Sequence, residues 1–191
     1  MHPLAVMNKY ILGSFLAALA FFVWGFLYWA ANPVTKMVIH SSPDDAAAGA
    51  MLKQMFPQNG MYFVPGMSQD EETMKKLHEA GPIATVHIQH AGEPMMTAGF
   101  FITAIAHCWV STLLMMFLLV RAAPVVLASY GRRVWFVTLV GIVITVVGNF
   151  EYPVYWNHPW PVYLFNAGYI ISSMLVVGLV LAKFVKPADP A

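Results

Sequence analysis

Residues 10–31, YILGSFLAALAFFVWGFLYWAA, contain no Asp, Glu, Lys or Arg. The charge-free interval runs from Lys9 to Lys36, and three more follow: Glu93 to Arg121, Arg133 to Glu151, and Glu151 to Lys183. A helix needs roughly 20 apolar residues to cross the hydrocarbon of a bilayer, and the third interval, about 17 residues, stands at the lower limit. In lipid every backbone N–H and C=O must find an internal partner, so only helices and closed barrels span. Barrel strands alternate apolar and polar residues, whereas these runs are continuously apolar. The sequence therefore predicts an all-α membrane protein, a four-transmembrane-helix bundle.

Composition agrees. Of 191 residues, 59% are hydrophobic and 10% charged, less than half the charged share of an average soluble domain. A net charge of +1 argues against nucleic acid as a partner, which requires a basic face. The lone cysteine, Cys108, excludes a disulfide within the chain. Lys9 and the run behind it resemble the opening of a secretory signal, but the run is too long. Cleavage after Ala30 or Ala31 would also put Tyr28 or Trp29 where a small residue belongs. The segment reads as a retained anchor.

Lys and Arg near span ends set orientation. Lys9, then Arg121, Arg132 and Arg133, then Lys183 and Lys186 all fall on one side of a four-span topology. Eight of the nine acidic residues, all but Asp189, fall on the other. The reading is a cytoplasmic N-terminus with the first span to 31, a periplasmic loop 32–96, a second span 97–120 and a cytoplasmic link 121–133. A third span 134–150, a periplasmic loop 151–160, a fourth span 161–182 and a cytoplasmic tail 183–191 complete it. In a bacterium this is the inner membrane, with both termini cytoplasmic.

The long loop predicts a small α/β periplasmic cap. Ser42-Pro43-Asp44-Asp45 reads as a helix start with Ser42 as cap, and the helix stops at Phe56-Pro57. Met61–Val64 reads as a strand, and Ser68 as the cap of a second helix that Gly81-Pro82 ends. Ile83–Ile88 reads as the second strand. Such a unit is marginal alone and needs support from the spans or from a partner.

Each span carries small or weakly polar residues at helical spacing: Ser14, Ala18 and Gly25; Gly99, Thr103, His107 and Ser111; Thr138, Gly141, Thr145 and Gly148; Asn166, Tyr169 and Ser173. Small residues let helix backbones approach where lipid supplies no hydrophobic drive, so these stripes are expected to form the seams. His107 lies near the centre of its span, where an ionisable group is costly and marks a function or a specific partner. It reads either as a neutral imidazole bonded to Thr145 or Ser172 on a facing helix, or as a contact to haem, quinone or a proton path. A bis-histidine haem would need a second intramembrane histidine, which the sequence lacks. Met115, Met116 and Met174 are conceivable ligands but ordinary packing residues.

A polar cluster, Asn149, Glu151, Asn157, His158 and Asn166, flanks the outer ends of the third and fourth spans. It reads either as helix capping or as a site, with Glu151 as base or ion ligand. Tyr152, Tyr155, Trp156, Trp160 and Tyr163 around it fit an interfacial belt. His87 and His90 are the candidate metal ligands, with His40, His78 and the loop methionines nearby in sequence. Three-residue spacing on a strand splits His87 and His90 between faces, and several of the methionines fit the buried side of the short helices. Phosphate loops, His-Glu-x-x-His, Gly-x-Ser-x-Gly and Cys-x-x-Cys are absent from the sequence.

Phe22-Val23-Trp24-Gly25-Phe26, Gly60-Met61-Tyr62-Phe63-Val64-Pro65, Glu93-Pro94-Met95-Met96 and Tyr130-Gly131-Arg132-Arg133 resemble segments of a loosely defined set of small bacterial four-span inner-membrane proteins with no assigned activity. The resemblance implies the setting and transfers no residue roles. The sequence leads to a non-catalytic accessory or scaffolding subunit, docking on a larger membrane complex through its first span and its cap. Membrane lipid and self-association are the other partners, and no cofactor is required. The rival is a periplasm-facing redox or metal-handling protein using haem, quinone or copper at His107 or the outer histidines.

Overall fold

A computed structural model describes residues 3–185, with side chains from Met7 onward; the rest of the tail expected at 183–191 lies outside the described residues. The chain is about 70% helical, and four helical stretches are long and apolar enough to cross a membrane, the third running Tyr130–Tyr155 through a π-helical turn and into the expected loop 151–160. The order is α1 (Pro3–Ala30), α2 (Thr35–Val38), α3 (Asp45–Met55), β1 (Gly60–Val64), α4 (Glu71–Ala80), β2 (Ala84–Ile88) and α5 (Ala98–Val120). Then come α6 (Pro124–Leu127), α7 (Tyr130–Ile144), a π-helical turn (Thr145–Asn149), α8 (Glu151–Tyr155) and α9 (Trp160–Phe184). Two units separate, residues 39–95 and the remainder.

In the larger unit the spanning helices alternate in direction. The N-terminal part of α1 meets the C-terminal part of α9 at Gly13 and Phe184, and the other end of α1 meets the start of α9, where Tyr28 Oη donates to Phe165 O at 2.8 Å. Trp109 Nε1 of α5 donates to Ser14 Oγ at 3.2 Å, and Thr112 Oγ1 to Ser14 O at 2.8 Å. On the α7–α9 seam, Gly141 faces Met174 and Gly178 faces Val134. Lys9, Arg121, Arg132, Arg133 and Lys183 thus gather at one end of the antiparallel array. The packing order is α5–α1–α9–α7: α1 packs on α5 and α9, α9 packs on α7, and α5 and α7 scarcely touch. A four-helix bundle has four closed seams; here three are closed and the fourth is a cleft. Met116, Leu119, Val137, Val177 and Leu181 form the fully buried core, toward the end that carries the arginines.

The third helix begins before the expected residue 134. Ser129 caps it, accepting the Arg132 N–H at 3.3 Å. Arg132 and Arg133 therefore lie in its first turns, and the link shrinks to residues 121–129. Arg133 is buried at 6% exposure, yet its charge is engaged: Nη1 donates to Leu127 O at 2.6 Å and Nε to Ala182 O at 3.2 Å.

The seam expectation holds for Ser14, Ala18, Thr138, Gly141, Thr145 and Ser173, all buried. It fails for α5. There Cys108, Thr112, Met115, Met116 and Leu119 are the buried face, because Ser14 of α1 takes the hydrogen bonds of Thr112 and Trp109. Gly99, Thr103 and His107 are exposed and Ser111 is half-buried. Gly148 is exposed too, with open space where a Cβ would stand.

The unit 39–95 pairs β1 with β2 antiparallel, Tyr62 opposite Val86, with α4 between them in sequence. Both helix caps are aspartates rather than the expected serines. Asp44 Oδ1 accepts from Ala47 N and Asp70 Oδ1 from Thr73 N, each at 2.9 Å. In each case the carboxylate directly precedes the first helical residue, at the positive end of the helix dipole. Ser42 instead shapes the turn ahead of α3, accepting the Asp44 N–H at 3.2 Å. Gly81, at φ +65°, ends α4 in a conformation that favours glycine. Only Phe56 is buried in this unit, against Tyr62. Met51 and Met55 on α3 are more than half exposed while Met74 on α4 is half-buried, so the expectation that several methionines fit the buried side of the short helices fails for α3.

Candidate functional site: an intramembrane cleft at His107

Thr97 accepts the Phe100 N–H at 3.1 Å and fixes the start of α5. His107 is then the tenth of 23 residues, about 14 Å along the helix at 1.5 Å per residue, near the middle of a ~30 Å hydrocarbon layer. It lies one position from the buried face that begins at Cys108, so its imidazole points beside the α1 contact and into the unclosed side of the array. Neither expected partner reaches it. Thr145 Oγ1 donates within its own helix to Gly141 O at 2.8 Å. Ser172 Oγ donates to Gly168 O at 2.6 Å and accepts from Trp24 Nε1 at 3.0 Å. The His107 ring makes no hydrogen bond among the described residues, and the reading of it as a satisfied core imidazole is overturned.

Two cavities meet at this residue. One, about 370 Å³, lies in the open α5–α7 side and is lined by Phe21, His107, Ser111, Val140, Tyr169 and Ser173 among others. The second, about 540 Å³, lies along α1 and α5 and includes Phe22, Phe26, Trp29, Phe101, His107 and Tyr169. His107 and Tyr169 line both. The Tyr169 phenol has room because residue 25 is glycine: a Cβ there would stand 3.0 Å from Tyr169 Oη. Ser173, on the next turn of α9, is fully buried, and its Oγ is the one buried side-chain polar atom without a hydrogen-bond partner among the described residues. Its interaction with Tyr169 falls short of hydrogen-bond geometry. An unpaired hydroxyl in such surroundings carries a penalty of about 1–3 kcal/mol. For metal or haem, Met115 and Met174 share the smaller cavity with His107, whereas Met116 is in the closed core.

The polar cluster at the other end of the spans divides. Asn149, in the π-helical turn, donates from Nδ2 to Tyr163 O at 2.8 Å, and its Oδ1 accepts from Asn166 Nδ2 at 2.6 Å. His158 Nδ1 and Tyr163 Oη are 2.6 Å apart, with Tyr152 stacked on both rings. Tyr163, read from sequence as a belt aromatic, is the hub. Glu151 and Asn157 are exposed and their side chains join no hydrogen bond among the described residues; Asn157 takes φ +54° in the turn, which asparagine tolerates. Asn149 and Asn166 largely satisfy one another, and together they tie α7 to α9.

The candidate metal ligands are not gathered. His87 is exposed on β2 opposite Met61. His90 is tied to its own unit, Nε2 lying 2.7 Å from Phe56 O and its backbone N–H donating to Asn59 Oδ1 at 2.8 Å. Among the described residues no three His, Cys, Asp or Glu side chains converge. Compared with known proteins, the chain matches no family model, no curated protein and no solved structure.

Proposed function

We propose that this chain is a non-catalytic accessory subunit of a larger complex in a bacterial inner membrane. Both termini are cytoplasmic and the unit 39–95 is periplasmic. The gathering of Lys9, Arg121, Arg132, Arg133 and Lys183 at one end of the spans supports that orientation. One observation carries the docking role: the unit 39–95 buries a single hydrophobic side chain, Phe56, while Met51, Leu52, Met55, Met61, Met67 and Leu77 are exposed. A unit of 57 residues with so small a core is marginal alone, and the apolar side chains it leaves exposed are surface for a partner to cover. The exposed strip of α1 (Leu12, Leu16, Val23 and Leu27) is a second docking surface, within the membrane.

Two measurements test this. Native electrophoresis after mild solubilisation is expected to show a complex well above 21.2 kDa plus its detergent, lost in a Leu52→Asp, Met55→Asp double variant that keeps its helicity. A lone chain in wild type, or stoichiometric haem or copper, refutes the accessory reading. Orientation is read by Glu79→Cys in a Cys108→Ser background. A membrane-impermeant maleimide is expected to label it in spheroplasts, and labelling only after lysis reverses the topology.

A further inference from the structure

The cleft at His107 has three properties that together specify a ligand. It opens along the one seam the helices leave unclosed, so it is reached from within the bilayer. Its walls are apolar, with Phe21 and Tyr169 as the rings on the unclosed side, while Phe22, Phe26, Trp29 and Phe101 line the adjoining cavity along α1 and α5. Its polar groups are hydrogen-bonding ones: the His107 imidazole, without a partner among the described residues, the Tyr169 phenol, the Ser111 hydroxyl, which donates to His107 O, and the fully buried Ser173 hydroxyl, whose oxygen has no partner among the described residues. Phospholipid does not match this set, because its polar atoms sit at the interface, about 15 Å from the bilayer centre. A charged ligand does not match either, since no opposite charge lines either cavity. What matches is an apolar molecule with a planar ring and neutral oxygen atoms that resides in the hydrocarbon. Cavities of about 370 and 540 Å³ fall in the range that holds small organic ligands.

We propose that the smaller cavity of this cleft binds a ring compound of the quinone class, its ring between Phe21 and Tyr169 and its oxygens bonded by Ser173 and His107. Ser173 Oγ–H donates to one ring oxygen. The imidazole donates from one nitrogen, and the tautomer follows the ligand. Binding thus supplies hydrogen-bond partners that the described protein residues do not offer either side chain. The proposal needs only the full-length chain in a bilayer and no other subunit, so it stands or falls apart from the accessory role.

The test is equilibrium binding of a decyl-substituted benzoquinone to the full-length protein in phospholipid nanodiscs, with decylbenzene as the oxygen-free control. Wild type is expected to bind one quinone per chain, saturably, and decylbenzene at least about tenfold more weakly, the factor that one hydrogen bond of about 1.4 kcal/mol supplies. Ser173→Ala and His107→Leu are each expected to weaken quinone binding about tenfold and leave decylbenzene unchanged. Val140→Phe, which fills the smaller cavity but keeps the imidazole and the hydroxyl, is expected to weaken both ligands. His78→Ala, in the separate unit, serves as the unchanged control. If His107→Leu does not fold, Ser173→Ala decides alone, because removing an unpaired buried hydroxyl does not harm the empty protein. No saturable binding, equal affinity for the two ligands, or wild-type affinity in Ser173→Ala overturns the proposal.

Discussion

Gly178→Ala and Gly148→Ala make the same chemical change in two membrane-spanning segments, and their difference isolates one helix–helix contact. A Cβ at residue 178 would stand 3.1 Å from Val134 O, and 3.3 Å from both Val134 Cα and Val137 Cβ. Two of those atoms are backbone, so no side chain can rotate away; α7 and α9 must part by a few tenths of an ångström. Overpacking of this kind costs about 1–3 kcal/mol. At residue 148 a Cβ meets nothing within 4 Å. Replacing glycine by alanine in a helix contributes up to about 1 kcal/mol of stability, and this gain enters both variants and cancels in the comparison. Gly148→Ala is therefore expected to be neutral or slightly stabilised, with Gly178→Ala about 1–3 kcal/mol less stable than Gly148→Ala. Equilibrium unfolding in mixed micelles or bicelles measures the gap. Two variants within about 0.5 kcal/mol of each other would refute the claim that close backbone approach holds the α7–α9 seam.

Asn149→Ala removes a donor to Tyr163 O and an acceptor for Asn166 Nδ2; with membrane hydrogen bonds worth about 0.6 kcal/mol on average and 1.7 at most, the same unfolding assay is expected to show a loss of about 1–2 kcal/mol. Arg133→Met frees two buried carbonyl acceptors, Leu127 O and Ala182 O. Bonds to a charged group are worth roughly 1.5–3 kcal/mol, so a loss of about 3 kcal/mol is expected, and Arg133→Lys is expected to recover less than half because an ammonium cannot reproduce the guanidinium fork. Asp70 has a carboxyl held below its usual range by the Thr73 side chain and backbone N–H. A lowered folded pKa gives stability that is present above the unfolded value, about 4, and is lost as pH falls through the folded one. Amide-exchange protection at Thr73 is expected to fall as pH drops below about 4 in wild type and to stay flat in Asp70→Asn; parallel profiles would show that the cap does not hold the first turn of α4.

The four spans were legible because charge is the costliest thing to place in hydrocarbon, and the sequence spaces it out. Their edges were less so. Arg132 and Arg133 read as link residues, yet an arginine can sit inside a helix end when carbonyls from the link and from a neighbouring helix turn toward it, as Leu127 O and Ala182 O do here. The helix starts show the same limit at smaller scale. Ser42 and Asp44, like Ser68 and Asp70, both offer capping oxygens, and local propensity does not rank a hydroxyl two residues upstream of a carboxylate. The α5 stripe failed for a physical reason: four-residue spacing shows which residues share a face, but not which face a neighbour takes. That choice was made by Ser14, whose hydroxyl and carbonyl receive Trp109 and Thr112. His107 was legible as exceptional, its lack of a partner was not, and the part of Tyr163 in the outer cluster was hidden by an ordinary aromatic-belt reading.

The distribution of small residues explains why the array stays open where it does. Lipid tails are as apolar as leucine, so two helices gain little by touching unless their backbones can come close. On α1–α9, Gly13, Gly25 and Gly168 each receive an aromatic side chain; on α7–α9, Gly141 and Gly178 admit Met174 and Val134. On α1–α5, Ser14, Ala17 and Ala18 are fully buried. The positions of α5 and α7 that line the gap are His107, Ser111, Leu114, Met115, Leu118, Val140 and Ile144, of which Ser111 alone is small. Bulky side chains there hold the helices apart, and lipid exerts no pressure to close them. The only polar side chains in that gap are His107, Ser111, Tyr169 and Ser173. The same bulky residues that leave the seam open thus leave an imidazole and a serine hydroxyl facing a cavity rather than a neighbouring helix.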